Sequence, residues 1–380
     1  MVVTTRSQSR KRPIHDRDGG DGTHENSDGD LRANNGSRDA KGRASLPGVK
    51  PKRSRTVDKV LPSSLREKNL FPSEDSKRWD GPFLFAQLAD TQLGCLTGDK
   101  SLDTEIHIVR QGVERINKLR PKFVIVCGDM INAFPDNAKK QDEQIEAFYK
   151  EMRKIHKDIP LVCVCGNHDV GNQPNRASIE RYKKKFGSDF FTFWVGGVKC
   201  IVINSSLYKD DSKAKSLAKR HHQWFMKELK RCEAENPRHT LVFAHIPPFI
   251  NTPNEPDGYF NWTKSTRRKV LSRMKKAAVC TMFCGHYHRN AGGRDGALEV
   301  VVTSALGCAL KALEDPLGLP VSFDEPTIGT QVSGFRMVYV GEKRVRHKWF
   351  VLDKIPSDVS LMKELLADSE GGKKVLDSTQ

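Results

Sequence analysis

Five short apolar runs in this chain each stop at residues of metal-ligating type, and no other feature narrows its possible folds as far. The run 83–89 ends at Asp90-Thr91-Gln92, and 123–127 ends at Gly128-Asp129. The run 161–165 ends at Gly166-Asn167-His168-Asp169, 240–244 at His245, and 279–284 at Gly285-His286-Tyr287-His288. Short continuous apolar runs bounded by turn residues read as buried strands. In an open α/β sheet the carboxyl ends of the strands are where ligands collect. Segments far apart in sequence can therefore aim their side chains into one crevice. Taken singly the pieces are ordinary. A Gly-Asp after a strand is commonly a turn, and a lone His such as His245 is more often a satisfied core residue than a ligand. Together and in this order they point to a shared metal site.

The donors are two carboxylates (Asp90, Asp129), one amide (Asn167) and three imidazoles (His245, His286, His288), with Gln92 as a possible extra. Imidazole with carboxylate suits Mn, Fe, Zn or a similar divalent ion. Two such ions held about 3.5–4 Å apart clamp the attacking and leaving oxygens of an in-line displacement. The glycines ahead of Asp129, Asn167 and His286 permit tight turns directly after a strand.

Between these runs the apolar spacing turns helical. Ile106, Val109, Val113 and Ile116 mark one helix, and Ile145, Phe148, Met152 and Ile155 a second. Leu217, Trp224, Phe225 and Leu229 suggest a third, and 263–277 reads as a strongly basic fourth. Runs 190–195 and 198–203 flank Gly196-Gly197, the pattern of a tight hairpin. Further strands are expected at 298–303, 334–340 and 344–351. Strands alternating with helices argue for an α/β class with partly parallel pairing, in a mixed sheet or two sheets.

The domain organisation follows from composition. Residues 1–75 are rich in Arg, Asp, Gly, Ser and Asn and nearly free of aromatics, which predicts a disordered basic tail. Its clusters Arg10-Lys11-Arg12 and 50–55 leave a nuclear address open beside a cytoplasmic default. A polar extension is expected over 354–380. The chain has 380 residues and a formal net charge of +17, and that balance suggests an anionic partner. No apolar run reaches the roughly 18–20 residues of a membrane-spanning helix, so no membrane partner is expected. The nine cysteines are odd in number and mostly lie in apolar runs, which reads as buried thiols in a reducing compartment.

The five blocks resemble the signature of calcineurin-like metallophosphoesterases. Longer stretches, among them Gly81-Pro82-Phe83, 193–198, Phe260-Asn261, 264–267 and 285–293, are similar to a serine/threonine phosphatase branch of that family. The resemblance covers roughly 80–353 and implies a catalytic domain of two mixed β-sheets sandwiched between helices. It implies that Asp129 bridges two divalent ions (Mn, Fe, Zn or Mg). Asp90 and His288 would hold the first, and Asn167, His245 and His286 the second. It also implies that His168 is the acid for the leaving alkoxide, oriented by Asp169, and that metal-bound hydroxide attacks in line. Arg289, directly after the last block, is a candidate phosphate contact, and Lys264, Arg267 and Arg268 crowd the basic helix. The family usually has Asp-x-His in its first block, whereas this chain has Gln92. That side chain supplies a neutral oxygen ligand or none, so the first ion should be held more weakly.

Three readings follow. The first is a phosphatase acting on phosphoserine or phosphothreonine proteins. The second is a phosphodiesterase acting on nucleotides or nucleic acid, which the same metal set and the positive charge also suit. The third is a non-catalytic adaptor, for which Gln92 is the foothold and the retained His168 the objection.

Overall fold

Each of the five runs becomes a strand, and the helical spacings between them become helices on the outside of two sheets. The computed structural model describes residues 74–310, 328–329 and 333–367. In chain order the first elements are β1 (Phe83–Leu88), α1 (Asp103–Leu119), β2 (Val124–Cys127), α2 (Ala138–Met152), β3 (Leu161–Val164), α3 (Asn167–Val170) and α4 (Arg176–Phe186). Next come β4 (Phe191–Val195), β5 (Val198–Val202), α5 (Ser206–Lys209), α6 (Lys215–Glu235), β6 (His239–Phe243), α7 (Lys264–Lys276) and β7 (Val279–Cys284). The last are β8 (Ala291–Asp295), β9 (Leu298–Val302), β10 (Ala309–Leu310), β11 (Ile328–Gly329), β12 (Gly334–Val340), β13 (Val345–Val351) and α8 (Val359–Ala367).

One sheet has the order β13-β12-β1-β2-β3, the other β4-β5-β6-β7-β9-β8, and β10 pairs with β11. Both large sheets are mixed. Parallel pairs fill β1-β2-β3 and β5-β6-β7-β9, and antiparallel pairs close the edges. The period-2 alternation of β1 explains the layering. Leu84, Ala86 and Leu88 face a core shared with α1, α2 and α8, while Phe83 and Phe85 face the other sheet. The layer between the sheets is aromatic: Phe85 stacks on Phe123 at 4.6 Å and meets the edges of Phe243 and Phe283 at 5.8 and 5.7 Å. Burying each such ring is worth about 1.5–3 kcal/mol, so this layer fixes how the sheets face each other. On the outer face of the second sheet, α6 and α7 contribute Phe225, Leu229, Val270 and Met274 to a third core. The architecture is the expected two mixed sheets between helices.

The structure departs from the sequence reading at the ends. α2 stops at Met152, yet Ile155 is still buried beyond it. β8, whose sequence AGGRD carries no apolar signal, was not anticipated. The extension from 354 is more than a polar appendage over its described part. Met362 and Leu366 of α8 are buried in the first core, because helical spacing brings their two apolar positions onto one face. The N-terminal tail with its basic clusters, and residues 368–380, lie outside the described residues. Among the described residues no helix is long and apolar enough to cross a membrane. All nine cysteines are free thiols, seven of them buried.

Candidate metal centre

The donors reach one point because the chain turns sharply after each strand. Asp90, Gln92, Asp129, His286 and His288 all have positive φ, at 50°, 36°, 50°, 71° and 55°. Such backbone is uncommon for non-glycine residues and costs energy at each position, so its concentration here marks a site that the surroundings hold in place. The turns brace one another. Asp90 N donates to Gly128 O (3.0 Å), Gln92 N to Asp129 O (2.9 Å) and Gly285 N to His245 O (3.0 Å). The adjacent glycines are needed for close approach. A Cβ on Gly128 would lie 2.3 Å from His245 Nδ1, and one on Gly166 would lie 2.1 Å from Asp129 Oδ1.

Two donor groups result, one fully buried and the other buried except at His288. Ligand atoms of Asp129, His245 and His286 lie within 4.8 Å of one another, and so do those of Asp90, Asp129 and His288. Asp129 belongs to both. Asn167 joins the first group, its Oδ1 3.0 Å from His245 Nε2, which is itself 3.1 Å from Asp129 Oδ2. The histidines are aimed from behind. His245 Nδ1 bonds the Cys127 carbonyl (2.8 Å) and His288 Nδ1 the Cys308 carbonyl (2.6 Å), so each Nε2 faces the carboxylates. Asp90 in turn accepts from the backbone N–H of His286 at 3.2 and 3.0 Å.

Charge in this centre is unbalanced in a way that fits cations. Burial opposes the charged form of His245, but Asp129 and Asp90 outweigh it and raise the ring to about 9. His288, partly buried, is raised to about 9 by Asp90 against the cost of its burial. Burial also works against Asp129, yet His245, His168 and His286 hold its carboxyl below the usual carboxylate range. His286 goes the other way: burial and the neighbouring His245 push it well below its ordinary value. Its Nε2 is buried and without a hydrogen-bond partner. A neutral imidazole with an unused lone pair, beside a carboxylate shared by two donor groups, fits a divalent ion in each group.

His168 stands at the edge. Its backbone N donates to Asp129 Oδ1 (2.8 Å), and its ring stacks on Phe134 at 4.1 Å. Ring Nδ1 is bonded to the Asn132 carbonyl, and Nε2 is 3.1 Å from Gln92 Nε2. Asp169, expected to orient this ring, instead accepts through Oδ2 from the backbone N–H of Gly166 (2.7 Å) and Asp129 (2.9 Å). Its place at the start of α3 turns its carboxylate back onto the preceding loop, so it shapes the Asp129 turn. Gln92 also differs from the reading as an extra ligand. Its Oε1 accepts from the Cys308 thiol (3.3 Å), and its amide nitrogen serves Asn132 Oδ1 (3.1 Å) and His168.

Arg289 is partly buried, its guanidinium 5.2 Å over the Tyr287 ring. Arg267 is fully buried and bonds Glu255 O (2.9 Å) and Asp257 Oδ1 (3.3 Å), so it holds the 255–257 loop rather than facing solvent. Sequence reading missed Tyr259, whose hydroxyl is 3.3 Å from Asn167 Nδ2 and whose ring lies 5.0 Å from His286. At 49 % exposure it forms a rim of the centre. It also missed the second-layer roles of Phe134 and Cys308. The local signal was a cluster of aromatics, Tyr259, Phe260 and Trp262, in a loop whose other residues are mostly polar or Pro.

Comparison with known proteins supplies the family. The family described as calcineurin-like phosphoesterase matches residues 83–290. The serine/threonine-protein phosphatase CPPED1 of Danio rerio is 38% identical over 307 residues, covering 77% of this chain and 93% of that protein. The protein of the same name from Homo sapiens is 38% identical over 297 residues, covering 75% and 88%. Among solved structures, a dimetal phosphatase from Danio rerio has the same fold, with a TM-score of 0.51 at 15% identity over 72% of this chain and 97% of that one.

Proposed function

The chain belongs to the calcineurin-like phosphoesterase family, and from that premise we propose that it is a metal-dependent serine/threonine phosphatase acting on phosphoproteins. The observation that carries the reading is the pair of donor groups sharing Asp129, with the orphaned Nε2 of His286 in one of them. The substrate class is supported by the relatives, which are serine/threonine-protein phosphatases.

Asp90, Asp129 and His288 would hold one divalent ion, and Asp129, Asn167, His245 and His286 the other. When bound, the pair would supply Lewis-acid activation of water and neutralisation of charge on the phosphoryl oxygens. The chain's residues do the rest. The carbonyls of Cys127 and Cys308 keep the Nε2 atoms of His245 and His288 turned towards the centre. His168 presents Nε2 at the rim as an acceptor of the Gln92 amide; protonated there and released from that amide, it would be the group to deliver a proton to the departing seryl or threonyl oxygen. Asn132 and Phe134 orient that ring, and Gln92 bridges it to Cys308. Asp169 is a positioning residue for the Asp129 turn. Arg289 has the chemistry to meet a phosphoryl oxygen after leaving Tyr287.

The test is hydrolysis of an aryl phosphate monoester and its diester counterpart, with and without Mn²⁺, by wild type and Asp129→Asn. Metal-dependent monoester turnover that vanishes in the variant is the expected result. A preference for the diester would transfer the site to phosphodiester chemistry. Absence of turnover with any metal would leave a binding module.

A further inference from the structure

A second charged feature lies on the helical layer outside the metal centre. α7 carries seven Lys or Arg and no Asp or Glu in its 13 residues. Arg267 is committed inward, and Lys275 pairs with Asp295 at 2.7 Å. Arg268, Lys269, Arg273 and Lys276 are exposed and form no ion pair among the described residues. Opposite them α6 presents Lys215, Lys219, His222 and Lys230, also exposed. Between the two helices runs a trough of two cavities, of about 450 and 830 Å³. His222 and Lys269 line both, so the trough is continuous. Its lining includes the apolar side chains of Ala218, Val270, Met226 and Leu229. Lys269 also helps burial keep His222 below its ordinary value, which reflects how concentrated the positive charge is.

The trough begins beside the metal centre. Lys209, at its start, donates to the backbone carbonyls of Gly258 and Asn261 (2.8 Å for Asn261). Those residues belong to the loop that places Tyr259 against Asn167 and His286. One loop, 258–261, therefore joins the start of the trough to the rim of the metal centre.

We propose that the α6–α7 trough docks an acidic, extended segment of the phosphoprotein substrate, so that the enzyme favours phosphosites flanked by Asp and Glu. This rests on the phosphatase reading above. Peptide is favoured over nucleic acid for two reasons. Carboxylates sit at both ends of the trough, Asp210 and Asp211 at one and Glu233 at the other; a nucleic-acid backbone must bring a phosphate to each, whereas a peptide can place uncharged residues there and its acidic side chains over the basic middle. Tyr208, the lining's one Phe, Tyr or Trp among the described residues, packs on Trp262 at 5.0 Å and bonds His222, so its ring is engaged rather than open for base stacking. A membrane surface is disfavoured because the site is concave rather than a protruding apolar face. Alternating acidic and aliphatic side chains match basic walls over an aliphatic lining.

Two charge-reversal variants test this, Arg268→Glu with Arg273→Glu, and Lys219→Glu with Lys269→Glu. Neither pair touches the metal donors, so aryl phosphate turnover should stay within about twofold, which also verifies folding. With wild type, a phosphoserine peptide flanked by Glu and Asp should have a KM about tenfold below that of the same peptide with Gly and Ser flanks, the sum of several modest surface pairs. Either variant should erase that difference, and so should raising salt from about 50 to 300 mM. Fluorescence anisotropy of an unphosphorylated acidic peptide on the full chain reads docking without catalysis. Binding of that peptide without hydrolysis of any monoester would leave the trough standing and sink the phosphatase reading. Phosphopeptide hydrolysis with equal KM for both flanks, or with the preference intact in the variants, would overturn the trough. Tighter binding of single-stranded DNA or of phosphatidylserine vesicles than of the acidic peptide would overturn it as well.

Discussion

The two halves of the metal centre share Asp129 but are built to different standards. On one side Asp129 is joined by His245, His286 and the Asn167 oxygen, all buried, with the His286 Nε2 left open. On the other it is joined by Asp90 and His288 alone, and the residue where the family usually has a third ligand, Gln92, turns its oxygen to the Cys308 thiol. One half gathers four candidate donor residues and the other three. Ion affinity scales with the number of well-placed donors, so the halves should fill at different concentrations. The amide nitrogen of Gln92 instead lies 3.1 Å from His168 Nε2.

Removing the residue that the halves share should have the largest effect. Asp129→Asn should lower monoester turnover by at least about three orders of magnitude, because both ions lose a donor. A variant that retained turnover would show that Asp129 bridges nothing. Next in size is His168→Ala. It should reduce turnover about 10²–10⁴-fold while metal content by elemental analysis stays at the wild-type level. Loss of metal in that variant would mean that His168 serves the cage instead of the leaving group.

A titration sharpens the contrast. Isothermal calorimetry with Mn²⁺ should resolve two steps differing about tenfold or more in affinity. Asp90→Asn should remove the weaker step and His286→Ala the tighter one. The pH dependence is smaller and signed. His245 and His288, both raised to about 9, are protonated in the metal-free protein at neutral pH and must shed those protons to bind. Metal affinity should therefore rise between pH 6.5 and 9, with proton release measurable in buffers of different ionisation enthalpy. Metal-free stability should run the opposite way. A raised folded pKa gives stability that is full below 6.5 and lost as pH climbs through 9. Thermal melts of chelator-treated protein check this. The smallest effect expected is Gln92→His, which should tighten the weaker step by a few fold and lower turnover slightly by disturbing His168.

The donors were legible in the sequence because each lies within a few residues of a strand end, where an apolar run and its stop are visible together. The hairpin at Gly196-Gly197 was legible for the same reason. What failed to show were features set by tertiary approach. Cys308 meets Gln92 across 216 residues, and the Asn132 carbonyl reaches the His168 ring through a loop conformation that no residue type announces. β8 has no apolar alternation and exists because β9 offers it an edge. α8 hid because only two of its residues, Met362 and Leu366, are fully buried. Arg267 misled because a basic helix suggests a solvated face, whereas its guanidinium is the buried tie of the 255–257 loop.

The most direct test of the central claim is anomalous diffraction from crystals soaked in Mn²⁺ at two concentrations. One peak is expected at low concentration, among Asp129, Asn167, His245 and His286, and a second at high concentration among Asp90, Asp129 and His288. Equal occupancy of both positions at the lower concentration, or a first peak beside Asp90 and His288, would contradict it.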